Sequence, residues 1–115
     1  MLNEKTRLYL LQIMDAINKI ELCTAGLSLN TYENYEIKWI VERGLEIIGE
    51  ALNRIKLSEP QLTITNQQKI VSTRNKIAHE YDNVDYAILY AIVTTYLPLL
   101  KSEVETLLEQ NRRTN

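Results

Sequence analysis

The amino-acid sequence predicts an all-α fold, a single antiparallel bundle of four main helices that forms one domain over residues 1–115. Only three Gly and two Pro occur in the chain, whereas a β-sandwich or barrel needs a turn about every 8–12 residues. Apolar residues recur with the i, i+3, i+4, i+7 spacing of amphipathic helices. The 24% of charged residues is typical of globular domains and excludes a disordered chain.

The first predicted helix covers about residues 4–24, and Gly26 ends it. Its apolar residues fall on one stripe, which consists of Leu10, Ile13, Ile17 and Ile20. Residues 28–34 are polar and predict a loop before the second helix.

The second predicted helix covers about residues 35–57. Gly44 lies in the middle of its apolar face, which predicts that a neighbouring helix approaches closely there. Ile47 is expected to widen this face. The other residues of the face are Ile37, Ile40, Val41, Ile48, Ala51 and Ile55.

The third predicted helix begins near Asn66, and the fourth begins after Asn83 with Asp85 at its N-terminus. Pro98 lies inside the apolar pattern of the fourth helix and predicts a kink or a restart. The polar residues 110–115 are expected to fray.

Composition limits the function classes. A single Cys and a single His, Cys23 and His79, can form neither an internal disulfide nor a Cys/His zinc site within one chain. We expect a cytoplasmic protein, because the N-terminus does not resemble a signal peptide. The uncharged run between Asp85 and Lys101 is shorter than the about 20 apolar residues of a membrane span. With an isoelectric point near 5.4, any contact with nucleic acid must be local.

The hydrophobic pattern breaks at Arg74. This arginine lies in the middle of the apolar stripe of helix three, where a charge is costly unless it is paired or opens onto a cleft or a partner chain. One interpretation is an ion pair with Glu46 or Glu50 of helix two. The sequence leaves this structural interpretation and a functional one open.

His79 follows Arg74 by five residues, which places it about 140° away on an ideal helix. If the two act together, the helix must end near residues 78–79 or a second subunit must complete the site. Alternatively, His79 is a histidine favoured by the dipole at a helix C-terminus.

The segment 74–81, RNKIAHEY, resembles the signature of HEPN domains, in the form found in HepT-like toxins of HEPN/MNT toxin–antitoxin systems. Residues 42–51, 84–86 and 97–100 also resemble the second and last helices of this family. Residues 62–65 depart from it, because members often carry a Pro-Trp pair before the third helix.

The resemblance implies a metal-independent endoribonuclease with no cofactor, which cleaves RNA, tRNA in the family, at a composite site of a homodimer. The residue types suit this chemistry. RNA carries its own nucleophile, so His79 need only move a proton. Arg74 can stabilise the charge that builds on phosphorus, and Asn75 can orient either group or the substrate.

The family also implies that Tyr81 is adenylylated by a partner nucleotidyltransferase antitoxin. Tyr81 follows Arg74 by seven residues, so a continued helix returns it to nearly the same face. The structural alternative is that Tyr81 is the last residue of the apolar stripe. Among the other aromatic residues, we expect core positions for Tyr9, Tyr86, Tyr90 and Tyr96 and freer positions for Tyr32, Tyr35 and Trp39.

Two other functions remain open at this point. The chain could be a non-catalytic helical dimer that binds a nucleotidyltransferase, which the acidic isoelectric point favours. It could also be a HEPN-type substrate-binding helper of a separate enzyme. Loss of RNA cleavage on substitution of Arg74 or His79 would separate the ribonuclease from both.

Overall fold

The computed structural model describes the backbone of residues 2–80 and 85–114 and the side chains of residues 2–75 and 85–112. The described residues form helices and connecting turns, with no β-strand among them, which confirms the all-α prediction. The helices are α1 (Glu4–Thr24), α2 (Tyr35–Ser58), α3 (Gln68–Glu80), α4 (Tyr86–Ala91) and α5 (Leu97–Thr114).

Local capping explains why α1 and α2 begin and end close to the predicted residues. The side chain of Asn3 accepts a hydrogen bond from the backbone N–H of Thr6, and Asn34 does the same for Glu36. Past the end of α1, Gly26 has a φ of 76°, a left-handed conformation that glycine adopts at no steric cost.

Contacts between helix ends show that α1 runs antiparallel to α2 and to α5. Asn3, at the start of α1, donates its backbone N–H to the Glu59 carboxylate just beyond α2, at 2.6 Å. Leu2 donates its backbone N–H to the Asn111 side chain near the end of α5, at 3.2 Å. The predicted fraying does not begin at residue 110, because α5 continues to Thr114 and Asn111 is buried, whereas residue 115 lies outside the described residues.

The core lies between α1, α2 and the α4–α5 helix, and Ile70 adds α3 to it. Gly44 allows α1 to approach α2 as expected, since a Cβ at this position would lie 2.5 Å from the Cδ1 atom of Ile20. The expectation for Ile47 is wrong, because its side chain is 37% exposed. Large aliphatic residues that are fully buried include Leu10, Ile13, Ile17, Ile20, Leu45, Ile48, Leu52, Ile55, Ile70 and Leu89.

The last predicted helix has an irregular turn before Pro98. Residues Ile92–Tyr96 are π-helical, and the N–H of Leu97 bonds to the carbonyl of Ile92. Because Pro98 has no N–H to donate to the preceding turn, a local widening of the helix accommodates it. The sequence predicted a kink or a restart at Pro98, and the structure shows a π-turn that ends two residues before it.

The helix formed by α4, the π-turn and α5 is long and apolar enough, over Tyr86–Arg112, to cross a membrane by length and composition alone. Six of its apolar side chains nevertheless belong to the core of the bundle. These are Leu89, Ile92, Val93, Leu97, Leu100 and Val104.

The predicted loop after α1 holds a short 3₁₀ helix, Leu29–Glu33. It buries Tyr32, whose ring packs edge-on against Tyr90 with 5.1 Å between centroids. The expectation that Tyr32 is free to act is therefore wrong, and burial raises the pKa of its hydroxyl. Tyr35 and Trp39 are exposed, as expected.

Helix α3 begins two residues later than predicted because α5 holds the connector before it. The carboxylate of Glu103 accepts hydrogen bonds from the backbone N–H groups of Thr65, at 2.8 Å, and Asn66, at 3.3 Å. These bonds satisfy backbone donors before the helix starts at Gln68.

Candidate active site between α1, α2 and α3

The side chain of Arg74 extends from α3 over Gly49 to the surface of α2. A Cβ at position 49 would lie 2.6 Å from both the Cβ and the Cγ atoms of Arg74, which is closer than van der Waals contact allows. Position 49 must therefore be glycine for α3 to lie where it does. Sequence reasoning singled out Gly44 and missed Gly49, although a glycine within a helix was the available signal.

The guanidinium of Arg74 is held by the Glu50 carboxylate. The Nη2 atom of Arg74 donates to the Oε2 atom of Glu50 at 2.9 Å. The other carboxylate oxygen, Oε1, accepts from the Nε atom of Arg54 at 3.1 Å. Glu50 thus bridges two guanidinium groups, one from each helix.

This geometry decides which carboxylate pairs with Arg74. Of the two that the sequence allowed, Glu50 is the partner, whereas Glu46 pairs with Arg43 at 3.4 Å. The Arg74 side chain is 28% exposed and that of Glu50 is 43% exposed. Arg74 is therefore both paired and open to solvent, and its charge is not isolated in the core.

Asn75 also contacts Arg74. Its side-chain oxygen accepts a hydrogen bond from the Nη1 atom of Arg74 at 3.0 Å. Two neighbours therefore restrain the guanidinium, and Asn75 contacts one of the two catalytic candidates that it was expected to orient. Among the described residues, these contacts leave some N–H groups of Arg74 without a hydrogen-bond acceptor.

The guanidinium opens onto a groove of about 420 Å³ between α1, α2 and α3. Helix α1 contributes Tyr9 and Gln12, and α3 contributes Arg74. Hydrogen bonds with Glu50 and with Tyr9 raise the pKa of Arg54 further above its already high usual value. The residues that α2 contributes to the groove are Arg43, Glu46, Ile47, Glu50 and Arg54.

His79 lies on the same helix as Arg74, and α3 continues past it to Glu80. Within this helix the two positions are about 140° apart around the axis and about 7.5 Å apart along it. The described part of α3 ends one residue beyond His79, so a helix end near residues 78–79 and completion of the site by a second subunit both stay open. The His79 side chain and the whole of Tyr81 lie outside the described residues.

Comparison with known proteins identifies the family. A protein-family model described as "Ribonuclease HepT-like" matches residues 13–107. A Methanocaldococcus jannaschii protein named "Putative RNase" is 32% identical over 99 residues, which cover 84% of this chain and 91% of that protein. A Thermococcus cleftensis protein named "Probable ribonuclease HepT" is 32% identical over 104 residues, or 86% of this chain and 92% of that protein. No solved structure matches the chain.

The family match spans α2, α3, α4 and more than half of α5. It therefore includes most of the groove and the Arg74–His79 segment. This all-α, HEPN-type chain therefore belongs to the HepT-like ribonuclease family.

Proposed function

We propose that this protein is a metal-independent endoribonuclease in which Arg74 and His79 carry out the reaction in the cytoplasm. The observation that carries the proposal is the guanidinium of Arg74, held by Glu50 and Asn75 at the edge of an open groove. An arginine fixed in this way is preorganised to stabilise charge on a phosphate. Membership of a ribonuclease family supports RNA as the substrate.

The proposed reaction uses the 2′-hydroxyl of RNA as the nucleophile. Its oxygen attacks the adjacent phosphorus and gives up its proton to a base, while the bond from phosphorus to the 5′-oxygen breaks and that oxygen takes up a proton. The products are a 2′,3′-cyclic phosphate and a 5′-hydroxyl. His79 transfers a proton, and Arg74 stabilises the negative charge on the phosphate oxygens.

We also propose that a homodimer forms the complete site. Cleavage needs both a base and an acid, and each chain has one histidine. The position of both residues on α3 supports the same idea, because residues five apart in sequence lie about 140° apart around an ideal helix. Sedimentation of the full chain should show a dimer at micromolar concentration. A monomer with full cleavage activity would contradict the composite site.

The proposed biological role is based on the resemblance to HepT-like toxins. We propose a toxin that cleaves cellular RNA, tRNA in the first instance, and that a nucleotidyltransferase antitoxin neutralises by adding AMP to Tyr81. The added phosphate would carry negative charge close to Arg74 in sequence and compete with RNA for it. Mass spectrometry after co-expression with the nucleotidyltransferase should show an AMP adduct on the wild type and on Tyr35→Phe, an exposed control. If Tyr81→Phe gains the same mass, Tyr81 is not the acceptor.

The activity itself is tested by the ends of the RNA products. Purified wild-type protein in EDTA should produce 2′,3′-cyclic phosphate and 5′-hydroxyl ends, and Arg74→Ala should abolish them while the helical circular dichroism spectrum is unchanged. Products with 5′-phosphate ends, or cleavage by Arg74→Ala at the wild-type rate, would contradict the mechanism.

The second candidate function is a non-catalytic dimer that binds a nucleotidyltransferase. It is favoured by the pairing of Arg43, Arg54 and Arg74 with carboxylates, which is also what purely structural arginines do. Failure of the wild type to cut any RNA, together with stable binding of the nucleotidyltransferase, would support this alternative.

A further inference from the structure

The groove beside Arg74 concentrates positive charge in an acidic protein. The chain has a net charge of −2 and six arginines, and three of these, Arg43, Arg54 and Arg74, line the same groove. The two carboxylates of the groove, Glu46 and Glu50, leave one positive charge in excess. This local excess is not a property of the surface as a whole.

The hydrogen bonds between these arginines and the carboxylates leave other guanidinium N–H groups available to a ligand. A guanidinium has five N–H donors, and Glu50 takes one from Arg54 and one from Arg74. Neither contact is the bidentate pair that a carboxylate forms with a single arginine. Arg43 makes a single long contact with Glu46, at 3.4 Å. Each guanidinium can therefore bind a phosphate oxygen without first losing its carboxylate partner.

The arginines are spread along the groove. Arg43 and Arg54 are eleven residues apart on α2, which is about 17 Å along the helix axis. They are too far apart to bind one phosphate, so the groove offers separate anion-binding positions along its length. Arg54 lies beside Arg74, because both contact Glu50.

Two residues of α1 and an apolar residue of α2 supply contacts of a different kind to the groove. Tyr9 of α1 provides an aromatic ring, Gln12 provides an amide, and Ile47 exposes 37% of its surface there. Proteins that bind single-stranded nucleic acid combine a positively charged groove with aromatic side chains on which bases stack.

We propose that this groove binds the single-stranded RNA that flanks the scissile phosphate, with Arg54 and Arg43 binding successive regions of its backbone and Tyr9 stacking on a base. The inference rests on the proposed function, since it takes Arg74 as the residue at the scissile phosphate. It adds a substrate-binding surface on α1 and α2 and a preference for unpaired RNA.

The test measures binding apart from cleavage. The probe is a short, fluorescein-labelled 2′-O-methyl oligoribonucleotide, which the wild type cannot cut because its nucleophile is blocked. Fluorescence anisotropy over a salt series should show that Arg54→Ala and Arg43→Ala each raise Kd about fivefold or more at low salt. Each should also lower the salt dependence, the slope of log K against log salt, by about 0.7.

Two controls identify the origin of any effect. Arg7→Ala removes another partly exposed arginine with a carboxylate at i−3, Glu4, but Arg7 is outside the groove, so its Kd and slope should match the wild type. Arg43→Ala does not touch Glu50 or Arg74, so an effect of this variant cannot come from misplacing Arg74. Tyr9→Ala should weaken binding more than Tyr9→Phe, which keeps the ring and loses only the hydroxyl that contacts Arg54.

The outcomes separate this inference from the proposed function. If the wild type cleaves RNA but Arg43→Ala and Arg54→Ala bind the probe as tightly as Arg7→Ala, the groove inference is overturned and the ribonuclease stands. If the groove variants lose affinity but the wild type cuts no RNA, the groove binds RNA and the catalytic proposal fails. If the wild type does not bind the probe, or binds a duplex of the same length more tightly, the groove inference is also overturned.

Discussion

Replacing Gly49 with alanine is a direct perturbation of the position of Arg74. The new Cβ would lie 2.6 Å from the Cβ and Cγ atoms of Arg74. These two atoms are fixed close to the α3 backbone, so a rotation of the side chain cannot move both of them away. Helix α3 must therefore shift from α2 at this position.

The size of the shift follows from the contact distances. Ordinary van der Waals contact begins at 3.4 Å, so Arg74 must move by about 0.8 Å or more. A shift of this size would disturb the 2.9 Å bond to Glu50, since hydrogen bonds weaken steeply outside their narrow range of distance and angle. Overpacking costs about 1–3 kcal/mol, and alanine regains about 1 kcal/mol of helix propensity. The free energy of unfolding should therefore fall by no more than about 2 kcal/mol.

The rate of RNA cleavage should fall much further than the stability. A misplacement of about 1 Å can cost about 100-fold in rate, so we expect a loss of kcat of about tenfold or more under conditions where the variant is fully folded. Urea unfolding gives the stability, and single-turnover cleavage gives the rate.

Gly44→Ala is the matched control. It places a methyl group on the same helix, 2.5 Å from the Cδ1 atom of Ile20, and so crowds α1 without touching Arg74. We expect a change of stability but near wild-type cleavage per folded molecule. Equal rates for the two variants would refute the argument that Gly49 positions Arg74.

Three further predictions concern Glu50, Tyr32 and Glu42. Glu50→Gln keeps an acceptor but removes the charge shared by two arginines, so kcat should fall about fivefold with an unchanged circular dichroism spectrum; an unchanged kcat would show that the charge is not needed. Tyr32→Ala should lower the free energy of unfolding by about 3 kcal/mol or more in urea, because the ring is buried against Tyr90; a loss below about 1 kcal/mol would contradict its burial. Burial raises the pKa of Glu42 above its usual value, so the ionised carboxylate is less stable in the folded protein than in the unfolded chain. The stability that the protonated form contributes is therefore lost as the pH rises through the pKa of the folded state. Glu42→Gln should therefore have a higher Tm than the wild type at pH 7 and the same Tm at pH 3, and equal values at both would refute this.

The helices that could be predicted most accurately carry their signals within a few residues. Helices α1 and α2 begin at side-chain caps, Asn3 and Asn34, and α1 stops before a glycine with positive φ. Tyr32 could not be placed in this way, because its burial depends on Tyr90, which lies in another helix. The start of α3 depends likewise on Glu103 of α5.

The sequence predicted the site residue that breaks the hydrophobic pattern of its helix, but not the residues that follow the pattern. Arg74 stood out as a charge on an apolar stripe, and Glu50 was one of two carboxylates within reach of it. Arg43 and Arg54 occupy exposed helix positions, where charged residues are the rule. Only the packing of α1 and α3 against α2 turns these two positions into the wall of a groove.

The central claim is that His79 and Arg74 act together on RNA without a metal ion. It is tested most directly by the single-turnover cleavage rate of His79→Ala in EDTA, compared with that of the wild type at the same concentration of folded protein. We expect cleavage by the wild type and a loss of about 100-fold or more in the variant, which is the contribution of one general acid or base. Cleavage by folded His79→Ala at the wild-type rate would contradict the account.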